Sequence, residues 1–186
     1  PDCLDQPARC TGAGVVPPSL VNGSPTATAV RFTGLVELRL AKTVTLAVQP
    51  RAQWASGSLF GFERFALGNY TVGRGYDPGV LTGDDGAAVS SELRHDPIIV
   101  SEDWKLSAQP YVFVDAGWAW SRGIGPGLAN PVSLVSGGGG ARLAVSDRAR
   151  LDLGAAVALK AAGPVRAGDV RLLLTLTTRI LPWRNR

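Results

Sequence analysis

From Val30 onward, apolar residues recur at every second position, the period of a strand with one face in an apolar medium. In the first run Val30, Phe32, Val36, Leu38 and Leu40 share one face, while Arg31, Thr33, Glu37 and Arg39 share the other. The second sets Val44, Leu46, Val48, Ala52 and Trp54 against Thr43, Thr45, Gln49, Arg51 and Gln53. A third, around 87–96, sets Val89 and Leu93 against Ser90, Glu92 and Arg94. The fourth, roughly 106–120, carries Val112, Val114, Ala116, Trp118 and Trp120 opposite Tyr111, Phe113 and Asp115, so that a lone carboxylate sits on its polar face. The fifth, 132–146, opposes Val135, Ala141, Leu143 and Val145 to Ser136, Arg142 and the glycines 137–140, a run that predicts a sharp bend or a close approach to its backbone. Leu151, Leu153, Val157 and Leu159 face away from Arg148, Arg150, Asp152 and Lys160 in the sixth. In the seventh, Val170, Leu172, Leu174, Leu176 and Ile180 oppose Arg171, Thr175, Thr177 and Arg179. The pattern predicts about seven strands and no helix.

Strands of about ten to fourteen residues with arginine along one face suit an antiparallel transmembrane β-barrel, whose outside meets lipid and whose lumen is wet. A soluble sandwich would bury the apolar face equally well, but its strands are nearer ~5–6 residues and its solvent face mixes both signs of charge. Connections alternate between short, at 41–44, about 97–105 and 146–149, and long, at 57–86, 120–131 and 160–169, the pattern of turns on one rim and loops on the other. Trp54, Trp118, Trp120 and Trp183 lie near strand ends, where interfacial aromatics belong. About seven strands do not close a barrel, because open edges in hydrocarbon leave backbone groups unpaired. Further strands are expected upstream of Pro1 or in another chain, in keeping with the absence of Met from the 186 residues.

Composition changes the picture little. The net charge of +4 comes from 19 Lys and Arg spread along the chain without a basic run, which gives no footprint for nucleic acid. Cys3 and Cys10 stand in an aperiodic stretch rich in Pro, Asp and Gly. They fit a local disulfide in an exposed loop outside the cytoplasm, or two free thiols. Two sulfurs without companion ligands do not suit a metal.

The longest connection carries Phe65-Ala66-Leu67-Gly68, then Gly73-Arg74-Gly75-Tyr76, then Gly83-Asp84-Asp85-Gly86, and runs into Ser91-Glu92-Leu93-Arg94; Phe113-Val114-Asp115 follows. This ordered set resembles the barrel of two-partner secretion transporters, the haemolysin secretion and activation group within the wider superfamily of outer-membrane assembly and polypeptide-translocation barrels. The resemblance covers residues 28 to 181. It implies a sixteen-stranded barrel preceded by periplasmic modules of the POTRA type, with this chain supplying the last seven strands over 28–186. It further implies that residues 1–27 lie in an extracellular loop, and that the loop of about 57–86 folds into the lumen. In that family the tip arginine of the loop is held by an acidic residue of the barrel wall. Arg74, with Gly75 and Tyr76, matches the tip and Asp115 matches the anchor; Glu92, on the same face by alternation, is a second candidate partner. Two departures stand out: Gly73 occupies the place of the family's valine, with Val72 displaced by one, and the chain ends Pro182-Trp183-Arg184-Asn185-Arg186 without the usual final aromatic.

Enzyme chemistry finds little support. His95, the only histidine, sits between Arg94 and Asp96, and a Ser-His-Asp site would need Ser90 or Ser91 beside it. The glycines 137–140 lack the following helix of a dinucleotide fingerprint. Asp84-Asp85-Gly86 reads as a turn or, less simply, as a calcium loop. What the resemblance implies is export of a large partner polypeptide through the outer membrane of a Gram-negative bacterium, without cofactor or metal. Arg31, Arg39, Arg51, Arg142, Arg150, Arg171 and Arg179 would line the pore, and the Arg74 loop would plug it. On the same barrel, an assembly factor that inserts other barrels, or an adhesive surface barrel, are the alternatives.

Overall fold

A computed structural model of the chain describes residues 23–68, 72–123, 128–146 and 148–178. Cys3 and Cys10, with the disulfide expected between them, Arg179, Trp183 and most of the 1–27 segment lie outside the described residues. The strands are β1 (Ala29–Thr33), β2 (Val36–Ala41), β3 (Val44–Ala55), β4 (Phe65–Leu67), β5 (Leu81–Gly83), β6 (Asp85–His95), β7 (Ile98–Ser101), β8 (Leu106–Trp120), β9 (Val132–Val145), β10 (Ala149–Ala158) and β11 (Val170–Thr178). Among the described residues the helical content is one 3-10 turn, Gly61–Glu63. Nine strands form one antiparallel sheet in the order β1-β3-β6-β8-β9-β10-β11, with β2 extending β1 along β3 and β7 extending β6 along β8.

Two of these strands are interrupted, and proline explains both. Thr33 pairs with Arg51 and Val36 with Val48 in one unbroken register, so Gly34 stands opposite Pro50. Gly34 donates to the Pro50 carbonyl at 3.0 Å, but Pro50 has no N–H to return. Similarly, the register slips by one between Arg94↔Tyr111 and Ile98↔Ala108, where Pro97 and Pro110 remove two ladder donors. The third strand therefore continues past the proline to Ser101, and the turn is 102–105 rather than about 97–105. Proline there marks a bulge, not the end of the strand.

The two faces of the sheet are inverted relative to a water-soluble protein. Along β8, Tyr111, Phe113 and Asp115 are buried, while Val112 and Val114 are 56% and 54% exposed. On β11, Leu172 is 84% exposed and Arg171 is half-buried. Phe32, Leu38, Trp54 and Trp118 belong to the same exposed apolar surface. An apolar surface this extended is the kind that a transmembrane β-barrel turns outward.

The connection between β3 and β6 folds back over the polar face. Its hairpin, β4 and β5, pairs Phe65 with Gly83 and Leu67 with Leu81, and was not foreseen in the sequence. Phe65, Leu67, Val72 and Tyr76 pack on Ala88, Ala119, Leu134 and Ala158 of the sheet. The wall is relieved where the hairpin's side chains land. A Cβ on Gly86 would lie 2.0 Å from the Phe65 ring, and one on Gly117 would lie 2.6 Å from Leu67.

Candidate functional site: a loop arginine seated on the barrel wall

The antiparallel register lays the polar face out in rows. Ser90, Asp115 and Ser136 share one row across β6, β8 and β9; Glu92, Phe113, Gly138 and Ala156 form the next, and Tyr111, Gly140 and Gly154 the one beyond. Arg142 pairs with Asp152 a further row on. The tip of the folded-back loop lies over these rows.

Gly73, at φ 102°, turns the chain so that its own N–H and that of Arg74 both donate to Asp115 Oδ2, at 3.3 and 3.0 Å. The Arg74 side chain follows, donating from Nε to Oδ2 at 3.1 Å and from Nη2 to Oδ1 at 3.0 Å. This two-pronged geometry is what a guanidinium offers a carboxylate and an ammonium does not. Nη1 donates to Glu92 Oε2 at 3.1 Å, and Nη2 also reaches Ser90 Oγ at 3.0 Å. The Ser90 hydroxyl in turn donates to Asp115 Oδ1 at 2.7 Å, so it serves this ion pair and not a triad with His95, whose Nδ1 lies 2.8 Å from the Asp96 carbonyl. The flat face of Arg74 rests on Phe113, its Cζ 3.4 Å from the ring centroid.

A second arginine completes the cluster. Arg142 grips Glu92 through Nη1 at 2.6 Å and Nη2 at 2.8 Å, donates from Nε to Asp152 Oδ2 at 3.2 Å, and stacks 4.3 Å from the Tyr111 ring. Tyr111 donates to Asp152 Oδ1 at 2.8 Å. Glycine makes room for both rings: a Cβ on Gly138 would meet Phe113 at 2.8 Å, and one on Gly140 would meet the Tyr111 hydroxyl at 2.8 Å. The glycine run thus lets both the β10 carbonyls of Ala155 and Leu153, 2.1 Å from such a Cβ, and the two aromatics that carry the guanidiniums come close to β9.

Beyond the arginine, Gly75 runs against the strand backbones, where a Cβ would come 3.0 Å from Ala158 N and from Ser136 Cβ. Tyr76 is fully buried. Its hydroxyl lies 2.6 Å from the carbonyls of Val135 and of Lys160 and accepts their N–H groups at 3.3 and 3.2 Å. The loop stem has its own fastening. Asp84, 1% exposed, accepts the N–H of Leu59 and of Arg122, both at 2.7 Å, and Asp85 accepts from Ala55 at 2.7 Å and Arg122 at 2.8 Å. These two carboxylates tie the loop stem to the rim.

The structure brings Arg74, Asp115, Glu92 and Arg142 into one network, with Gly75 and Tyr76 alongside. It does not leave the other arginines as a uniform basic lining. Arg31 pairs with Glu63 and Gln53, Arg39 with Asp96, and Arg171 with Asp77 and the Tyr76 carbonyl; Arg51 lies over the Phe65 ring at 5.6 Å, and Arg150 is exposed. Reading charge by residue type alone overlooked the carboxylates that the loop and the neighbouring strands deliver. Ser90, Tyr111, Phe113 and Asp152 escaped notice as site residues, although a hairpin centred on residues 146–148 already sets Arg142 opposite Asp152.

A β-meander with an exposed apolar face, a charged covered face and a long loop ion-paired to that charged face is the wall of a transmembrane β-barrel. The sequence model of the haemolysin secretion/activation family ShlB/FhaC/HecB matches residues 24–143, and the chain belongs to that family. Among solved structures, CdiB from Acinetobacter baumannii is similar at 27% identity and a TM-score of 0.58, over 82% of this chain and 27% of that one. CdiB from Escherichia coli is similar in fold, at 16% identity and a TM-score of 0.61, over 81% of this chain and 27% of the other. The chain thus spans 27% of the length of these solved relatives. No curated protein sequence matches it.

Proposed function

We propose that this chain is part of an outer-membrane pore of a Gram-negative bacterium that exports a large partner polypeptide in two-partner secretion, with the loop over residues 57–86 as its plug. The observation that carries the reading is the seat of Arg74: a loop arginine ion-paired to a carboxylate, Asp115, that is 1% exposed on the charged side of a sheet whose other side is greasy. A simple surface barrel has no use for a loop fastened to its interior through a buried ion pair, whereas a gated conduit needs such a fastening. Membership of a secretion and activation family supports export over the other functions such a barrel could serve.

The edges of β1 and β11 that face away from the sheet would pair with strands outside this chain, since an open edge in hydrocarbon costs several kcal/mol per unpaired group. Periplasmic modules would precede those strands and receive the cargo. The chain's own residues supply positioning: Asp115 and Glu92 hold the plug, and Asp84 and Asp85 hold its stem. Cargo would pass along the charged face as an extended chain.

The test compares secreted and outer-membrane proteins with and without the gene that encodes this chain. Loss of one large secreted protein, with other barrels unchanged, is the expected result. A general fall in outer-membrane barrels would replace export by barrel assembly, and no change in either would remove the transport reading.

A further inference from the structure

Asp115 accepts five hydrogen bonds, and four of them come from the loop: the N–H groups of Gly73 and Arg74, and Nε and Nη2 of Arg74. Only Ser90 would stay with it if the loop moved away. Glu92 is in a different position, because Arg142 holds both of its oxygens from within the wall. Displacing the plug therefore leaves one wall carboxylate facing the lumen without its cation, beside a Glu92 that keeps its own. The vacated place has a definite shape. It offers the two oxygens of Asp115 side by side, one Glu92 oxygen, the Ser90 hydroxyl, and the face of Phe113 as a floor.

Those features complement a planar fork of N–H donors with a stackable face. An ammonium could satisfy the charge, but neither the paired oxygens nor the ring. With the loop docked, the Arg74 guanidinium covers the seat, and Asp115 beneath it is 1% exposed. Arg74 is 20% exposed and borders a cleft of about 480 Å³ lined by Tyr111, Arg142, Asp152, Leu173 and Thr175.

We propose that the Asp115–Glu92–Ser90 seat over Phe113 is a guanidinium receptor, occupied at rest by the protein's own Arg74 and taken over by arginine side chains of the passing polypeptide, which thereby compete the plug out. The proposal rests on the export reading above. It makes arginine content near the leading end of the cargo a determinant of opening, and it gives the empty seat a cation throughout passage.

The experiment uses the intact pore-forming protein that contains this chain, in planar lipid bilayers. In Arg74→Ala the seat lacks its side chain; methylguanidinium should refill it and reduce the current saturably, with a half-effect concentration at least tenfold below that of methylammonium. Arg74→Ala/Asp115→Asn should not respond. In the wild type, a blocked Gly-Arg-Gly peptide should raise the opening frequency at least threefold, and the Gly-Lys-Gly peptide should not. Equal action of the two small cations, a persisting response in the double variant, or a wild type indifferent to the arginine peptide would each overturn the receptor. Absence of current from every form would sink the pore reading alone, because calorimetry on Arg74→Ala reads the seat without a pore. A tenfold preference for methylguanidinium there upholds the site, and equal binding of both cations removes it.

Discussion

Arg142 and Glu92 form a two-bond ion pair, at 2.6 and 2.8 Å, entirely within the barrel wall. One consequence is mechanical. The anchor for the loop is half-built before the loop arrives, because Glu92 is already fixed in place when Arg74 adds its single bond at 3.1 Å. A second is electrostatic. Asp115, Glu92 and Asp152 face only Arg74 and Arg142 within the network, so withdrawing Arg74 leaves three carboxylates against one guanidinium. The plug is held by a charge imbalance that its departure would create.

Removing the loop's cation should therefore cost more than one hydrogen bond. Arg74→Ala is expected to weaken docking by about 3 kcal/mol, the range for breaking a buried pair from one side. Arg74→Lys should recover less than half, since it keeps charge and loses the fork. The measurement is protease cleavage within 57–86 on the folded barrel, which should accelerate in the order wild type, Lys, Ala. Equal cleavage of all three would mean that the ion pair does not hold the loop.

The wall arginine makes a separable prediction. Arg142→Gln leaves Glu92 and Asp152 without their shared partner and should lower the stability of the barrel in urea by about 2–3 kcal/mol. Tyr111→Phe removes one hydrogen bond to Asp152 and should cost only about 1 kcal/mol. Similar losses for the two variants would show that ion pairing by Arg142 contributes no more than the single hydrogen bond of the Tyr111 hydroxyl.

How much of this was legible in the sequence follows from which interactions are periodic. Alternation along Tyr111 to Trp120 assigns each side chain to a face, because the strand period is two and independent of context. It cannot say what covers a face. Leu134 of β9 is fully buried under Gly73, and Gly73 and the β4–β5 hairpin belong to a loop whose path is set by packing between residues distant in the chain. The pairing of Arg74 with Asp115 was accessible only through the family resemblance. Arg142 and Asp152 could have been found by folding the β9–β10 hairpin about its turn. The third strand, expected over 87–96, runs past Pro97 to Ser101, because bulged strands tolerate proline.

At the rim, pH should act through Asp96, in the break between β6 and β7. Arg39 donates to both of its oxygens, from Nη1 at 2.7 Å and from Nη2, and this hydrogen bonding, followed by the charge of Arg39, holds the Asp96 carboxyl below its usual range. A depressed folded-state pKa means that the pair's contribution is complete above the unfolded value of about 3.9 and is lost as pH falls through the folded one. A carbon-13 titration of Asp96 should show its midpoint rising in Arg39→Ala. An unchanged midpoint would detach Asp96 from the arginine.

Tyr76 offers the sharpest test of how the loop grips the sheet, because its hydroxyl sits where the β9–β10 ladder ends. Beyond Ser136↔Ala158 one more backbone bond, from Leu159 N–H to the Val135 carbonyl at 2.8 Å, joins the two chains, and the N–H groups of Val135 and Lys160 turn to the Tyr76 oxygen at 3.3 and 3.2 Å, with their carbonyls 2.6 Å away. A phenol that serves groups from two strands acts as a rung of the ladder supplied by the loop. Tyr76→Phe keeps the ring in its buried place and removes only that rung, so the cost should be about 1–2 kcal/mol and local. Amide hydrogen exchange separates this from a general loosening. Val135 and Lys160 should exchange roughly tenfold faster, as about 1.4 kcal/mol implies, while Leu143 and Leu153, deep in the β9–β10 pairing, keep their rates. Uniform acceleration along β9 and β10 would instead mean that the hydroxyl supports the whole of the β9–β10 pairing and not one local rung.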